Sequence, residues 1–146
     1  LLLNRATIHA TAAGGVKMSR AARRIAPMPK EWQTHIAIAD ALRVAAMPDW
    51  LWTHFPAGEL RDDVTGVRLR RMGLKPGWGD FLLIAPDGRH HWMELKRGTQ
   101  GRLNSAQVEF MLACQSRGVP HAVVRSFDEA IRQLTAWGAI SLTVAA

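Results

Sequence analysis

One cysteine, Cys114, stands in a chain of 146 residues. A single thiol excludes an internal disulfide framework and any zinc site built from several cysteines of one chain, and it fits a reducing compartment. No apolar run approaches the ~20 residues that a membrane span needs. Internal repeats and low-complexity blocks are also missing. Residues 1–30 contain no acid but six basic residues: Arg5, Lys17, Arg20, Arg23, Arg24 and Lys30. Of the chain's nineteen Lys and Arg and twelve Asp and Glu, residues 31–146 keep thirteen and twelve, so they carry +1 of the total +7. The excess positive charge belongs to an N-terminal arm. Such an arm is either a polyanion-binding tail or a solvated one.

The remainder has the make-up of a globular domain. Hydrophobic residues are 48% and charged residues 21% of the chain, near ordinary values, and the length suits one domain with a sizeable core. We divide the chain into a basic arm over 1–29 and a folded domain over 30–146. The arm opens LLLNRATIHATAAGGVKMSR without an initial Met, and Met18 is a candidate start. Its Leu-rich opening is short for a secretory signal, and it shows no clear amphipathic period for an organellar one.

Pro27 and Pro29 close the arm. EWQTHIAIADALRVAAM (31–47) lacks Gly and Pro and has apolar residues at helical spacing, so it reads as a helix ended by Pro48. WLWTHF (50–55) reads as a strand. Residues 59–79 read as a long loop with room for one helical turn. DFLLIA (80–85) and HHWMELKR (90–97) read as strands joined across a Pro86-Asp87-Gly88 turn. NSAQVEFMLACQSRG (104–118) is a helix capped by Asn104 or Ser105 and ended by Gly118. VPHAVVR (119–125) is a strand, and FDEAIRQLTAW (127–137) is a helix capped by Ser126. The order predicts an α/β layer fold, a meander of three strands followed by one crossover to a fourth.

Strand alternation puts Glu94 and Lys96 on one face and Met93, Leu95 and Arg97 on the other. The hairpin carries Asp80 to the end of the second strand, beside that pair. Two carboxylates with open water positions suit a hard cation such as Mg²⁺. The cation polarises a phosphodiester and lowers the pKa of a bound water, and a nearby Lys neutralises charge developing on the phosphate. The competing reading is an exposed cross-strand ion pair, worth under ~1 kcal/mol. Against it, Trp92, Met93 and Leu95 mark an inner strand, where unpaired charge is costly.

GLKPGWGDFLLI, MELKRGTQGRLNSAQ and GVPHAVVRSFDEA follow one another in an order and spacing that resemble the VRR-NUC nuclease domain of the PD-(D/E)XK superfamily. The resemblance runs from about Glu31 to Trp137. It implies a restriction-endonuclease-like fold: a central mixed four-stranded sheet flanked by helices, in the order α-β-β-β-α-β plus a C-terminal helix. It also implies a Mg²⁺- or Mn²⁺-dependent endonuclease. Asp80 and Glu94 would bind the metal, the carbonyl of Leu95 would complete its shell, and Lys96 would be the catalytic lysine. Gln107 matches a glutamine near the scissile phosphate, and Glu31 an acid that reaches the metal through water. Branched DNA, a homodimer and a cytoplasmic, nucleoid-associated setting in a bacterium or phage are further implications. One departure is Gly79, which stands where the family commonly has Pro before the metal-binding Asp.

The basic loop, with Arg61, Arg68, Arg70, Arg71 and Lys75, is expected to hold the DNA backbone together with Arg97 and Arg102. Such contacts carry no sequence information. Several residues keep a second reading. Gln107 is also placed as the N3 partner of Asn104 in a capping box, and Glu31 as a first-turn acid facing the helix dipole. His90 and His91 face opposite ways and do not share a site. His35, one turn after Glu31, joins the site or is exposed. Trp50, Trp52, Trp78 and Trp92 read as core residues, with Trp78, in the loop beside Asp80, the exception placed to stack on bases, and Cys114 is a small buried residue. The rival function is a DNA-binding module without catalysis on the same fold.

Overall fold

The structure is a computed structural model that describes residues 30–56 and 63–142. The arm over 1–29, with Met18, and the candidate DNA contact Arg61 lie outside the described residues. The elements are α1 (Glu31–Ala45), β1 (Leu51–His54), α2 (Asp63–Arg71), β2 (Phe81–Ile84), β3 (His90–Leu95), α3 (Ser105–Ser116), β4 (His121–Val124) and α4 (Phe127–Trp137).

The four strands form one sheet in the order β1-β2-β3-β4. The first three make an antiparallel meander, and α3 carries the chain to β4, which runs parallel to β3. This is the expected mixed four-stranded sheet. At the β2–β3 turn Gly88 takes a positive φ of 81°, and its N–H donates to the Ala85 carbonyl at 2.8 Å.

Register decides which residues share a face. Phe81 pairs with Met93 and Leu83 with His91. Alternation therefore turns Phe81, Leu83, Met93 and Leu95 to one side, where with Val124 they meet Ile38 and Leu42 of α1 and Ala130 and Leu134 of α4. Ile38 and Leu42 stand one turn apart, which is why α1 packs along one stripe. The far end of α1 is tied to the segment after α4: Met47 N–H donates to Ala139 O at 2.9 Å and Ser141 N–H to Ala45 O at 3.1 Å. The other face of β3 carries His90, Trp92 and Glu94, and α3 covers it through Phe110, which meets the Trp92 and His121 rings edge-on.

The segment expected as a loop contains a helix of nine residues, α2. It buries none of its residues, so no apolar stripe announces it, and Gly66 in its middle argues against a helix. Its favourable features are electrostatic. Asp63 lies in the first turn and Arg68, Arg70 and Arg71 in the last, which complements the helix dipole at both ends.

Candidate functional site

The β2–β3 register, continued by one residue, sets Asp80 across from Glu94. Asp80 is held by backbone on both sides. Its carbonyl accepts from Phe55 N–H at 2.8 Å, and His54 Nδ1 lies 3.0 Å from the same oxygen. Its Oδ2 accepts from Leu95 N–H at 2.7 Å. The Leu95 carbonyl leaves β3 on the same edge as its N–H, facing Asp80. Gly79 is buried. A Cβ there would lie 3.1 Å from Met93 O, so glycine lets the approach to Asp80 run close against β3.

Glu94 and Lys96 share a face, as alternation requires. Lys96 Nζ lies 2.8 Å from Glu94 Oε1, and the two side chains are 14% and 3% exposed. The pair is therefore buried, not the exposed surface pair of the competing reading. Gln107 Nε2 donates to the same Glu94 oxygen at 2.5 Å. Gln107 also completes the capping box: its Oε1 accepts from Asn104 N–H, and its own N–H donates to Asn104 Oδ1, both at 3.0 Å. The two readings of Gln107 hold together, because the amide oxygen serves the cap while the amide nitrogen serves Glu94.

Burial is the main cause that pushes the Glu94 carboxyl up to about 7, and the Asp80 charge adds to it; the hydrogen bond and charge of Lys96 pull the other way. Glu31 raises it further. One ammonium thus leaves the two carboxylates short of positive charge. Each carboxylate spends one oxygen on the protein. Asp80 Oδ1 and Glu94 Oε2 have no hydrogen-bond or ion-pair partner among the described residues. Two oxygens with partner capacity, on groups that lack positive charge, fit a hard divalent cation. Among the described residues no three His, Cys, Asp or Glu side chains gather into a metal-binding group, so the protein would supply few side-chain ligands, as Mg²⁺ sites commonly do.

Glu31 lies at the mouth of the site. It lines a cavity of about 340 Å³ together with Leu95, Lys96 and Arg97, and a groove of about 660 Å³ together with Asp80 and His54. His35 lines that groove too. It is half-buried rather than exposed, with its ring 4.3 Å from Phe81 and 4.5 Å from His54. His90 and His91 part as expected. His90 is exposed, while His91 is buried between the Trp50 and Trp137 rings, each 5.0 Å away. Cys114 is a buried free thiol.

The basic candidates are dispersed. Arg68, Arg70 and Arg71 project from exposed α2, while Lys75, Arg97 and Arg102 are exposed around the loops that flank the site. Sequence reasoning missed Arg125. Its Nη1 donates to the carbonyls of Gly98 at 2.8 Å and Gly101 at 2.5 Å, so it ties the turn after Lys96 to the end of β4. No local signal reveals it, because its partners lie 24 and 27 residues away.

No protein-family model matches the chain, and no curated protein matches it. Solved structures do. One, a "VRR_NUC domain", has a TM-score of 0.52 and 18% identity over 73% of this chain and 96% of its own. Another, a "VRR_NUC domain protein", has a TM-score of 0.60 and 19% identity over 74% of this chain and 87% of its own. The chain has the fold of these VRR_NUC structures, in keeping with a restriction-endonuclease-like architecture.

Proposed function

We propose that this chain is a nuclease that hydrolyses DNA phosphodiesters with Mg²⁺ or Mn²⁺ held by Asp80 and Glu94. The observation that carries the reading is the convergence of two carboxylates, each with an oxygen uncommitted among the described residues, on the face that bears Lys96. The fold shared with VRR_NUC structures supports it. When bound, such a cation supplies Lewis-acid polarisation of a phosphodiester oxygen. Lys96 sets an ammonium beside the same space, where it stabilises charge that develops on the phosphate. Gln107 fixes the Glu94 rotamer. Leu95 offers its carbonyl as a further oxygen ligand, and Glu31 reaches the cation through water. Exposed Lys75, Arg97, Arg102 and the α2 arginines hold the backbone without reading bases. That favours shape recognition, with branched or junction DNA as the substrate. Two sites in a homodimer would serve such a substrate, which sedimentation at several concentrations tests. A DNA substrate also accords with a cytoplasmic, nucleoid-associated setting. Among the described residues no helix is long and apolar enough to cross a membrane.

The second reading, a DNA-binding module without catalysis, draws on one fact: Lys96 and Gln107 already satisfy Glu94 Oε1. One assay separates the two. Labelled duplex, flap and four-way junction are incubated with Mg²⁺, Mn²⁺ or EDTA, beside Lys96→Ala and Asp80→Asn. Metal-dependent cutting that both substitutions abolish supports the nuclease. Tight binding with no cutting under any condition overturns it.

A further inference from the structure

The face of β3 that bears Glu94 and Lys96 also bears His90 and Trp92, at the other end of the same row. Successive members of that row are about 7 Å apart along the strand. Glu94 and Lys96 form the charged site. His90 and Trp92 line a separate cavity of about 560 Å³ that extends under α3, a volume within the ~300–1,000 Å³ typical of small-molecule sites. The catalytic reading leaves it unused.

Its walls are aromatic. Trp78 stacks on Phe110 with ring centroids 4.7 Å apart and 24° between planes, and Trp92 meets both rings edge-on at 5.2 and 5.3 Å. Trp92 is buried, whereas Trp78 remains 37% exposed. The mouth is charged: Lys75, Arg117, His90 and Glu109 line the cavity and are exposed. Gly77 locks this region to the charged site. At its positive φ of 85° a Cβ would come within 2.4 Å of the Ala106 carbonyl, so the loop that presents Trp78 lies directly on the first turn of α3. Ala106 lines the cavity, and the next residue, Gln107, binds Glu94.

From this geometry we infer that the cavity receives one unpaired nucleobase of the DNA, next to the strand held at Asp80 and Glu94. The inference rests on the nuclease reading for its ligand and adds where an unstacked base goes. Apolar aromatic walls suit any base; Trp78 already stacks with Phe110 and Phe55, so a base meets the walls of Trp92, Phe110 and the exposed part of Trp78. Lys75 and Arg117 match the flanking phosphates in charge, and His90 and Glu109 offer polar partners to a base edge. An apolar protein segment would match the walls but not two cations at the mouth. A base-sized void beside the site favours substrates with a displaced nucleotide over continuous duplex.

The test uses a duplex with one bulged 2-aminopurine and the same duplex with an abasic residue at the bulge, both in EDTA so that nothing is cut. The full chain binds the 2-aminopurine duplex at least tenfold more tightly, and the probe's fluorescence changes on binding. Ala113→Phe places a ring in the cavity and removes the preference while keeping affinity for the abasic duplex. Val119→Phe, from another wall, does the same and guards against a folding defect in the first variant. Equal affinity for the two duplexes, or a preference that survives both substitutions, overturns the inference. So does an apolar dye seated in the cavity that bulged duplex does not displace. Cleavage in Mg²⁺ is scored separately. Base preference without cutting refutes the nuclease alone, and cutting without base preference refutes the cavity alone.

Discussion

Glu94 is where the site's chemistry can be measured without any substrate. Its carboxyl is raised from an ordinary 4.5 to about 7, chiefly by burial and next by the Asp80 charge. The folded protein therefore holds this proton more tightly than the unfolded chain does. The resulting stability is fully present below about 4.5, is lost as pH rises towards 7, and stays lost above it. The span is at most about 3–4 kcal/mol at ~1.4 kcal/mol per tenfold change in proton affinity. Glu94→Gln keeps the shape and cannot ionise. At pH 4.5, with Glu94 protonated, glutamine is its near-isostere and the two proteins should unfold at similar urea concentrations. At pH 8, in EDTA, the native protein should be the less stable by up to that amount. His91 and His121, whose pKa values burial lowers, change stability in the opposite sense over this range but cancel in the difference between the two proteins. Urea titrations followed by tryptophan fluorescence from pH 4.5 to 8 provide the measurement. Millimolar Mg²⁺ at pH 8 should restore the native protein and leave Glu94→Gln unmoved. A difference that does not vary with pH, or a native protein more stable than the variant at pH 8, would refute the reasoning. It would mean that attraction to Lys96 outweighs burial.

Lys96→Ala should lower cleavage by ~10²–10³-fold in single-turnover assays, and by removing the group that opposes burial it should move the Glu94 transition to higher pH. Gln107→Ala should cost about 1 kcal/mol through the lost cap and also slow cleavage. Gln107→Glu should keep the cap but set a carboxylate against Glu94, so its stability loss should appear at pH 8 and not at pH 4.5; equal loss at both would contradict the shared role. Gly77→Ala should destabilise by about 2 kcal/mol or more, because it joins a positive φ to a clash with the Ala106 carbonyl; an unchanged urea midpoint would show that the loop does not rest on α3.

Much of the site was legible because strand geometry is a rule of two. A turn at Pro86–Gly88 and a period of two suffice to bring Asp80, Glu94 and Lys96 to one edge. The caps at Asn104 and Ser126 were legible for a similar reason, since side-chain oxygens two or three residues from orphan N–H groups act locally. Helix α2 was not legible: it rests on charges placed at its two ends and buries nothing, so hydrophobic periodicity is silent there. In the sequence His35 stands between two readings for want of its partners. Its ring packs on Phe81 and His54, and both contacts exist only once α1 lies across the sheet.

Local chemistry in the sequence by itself determined the β2–β3 hairpin, the helix caps and which carboxylates and ammonium share a face. Those features depend on neighbours within a few residues or across one short hairpin. Tertiary structure alone decided that Leu95 N–H orients Asp80, that Gln107 serves a cap and a carboxylate at once, and that Arg125 ties down the turn after Lys96. It also decided the proton affinity of Glu94 and the aromatic cavity under α3. Each depends on how far side chains are withdrawn from water and on groups that lie far apart in the chain, and neither is set until the helices close on the sheet.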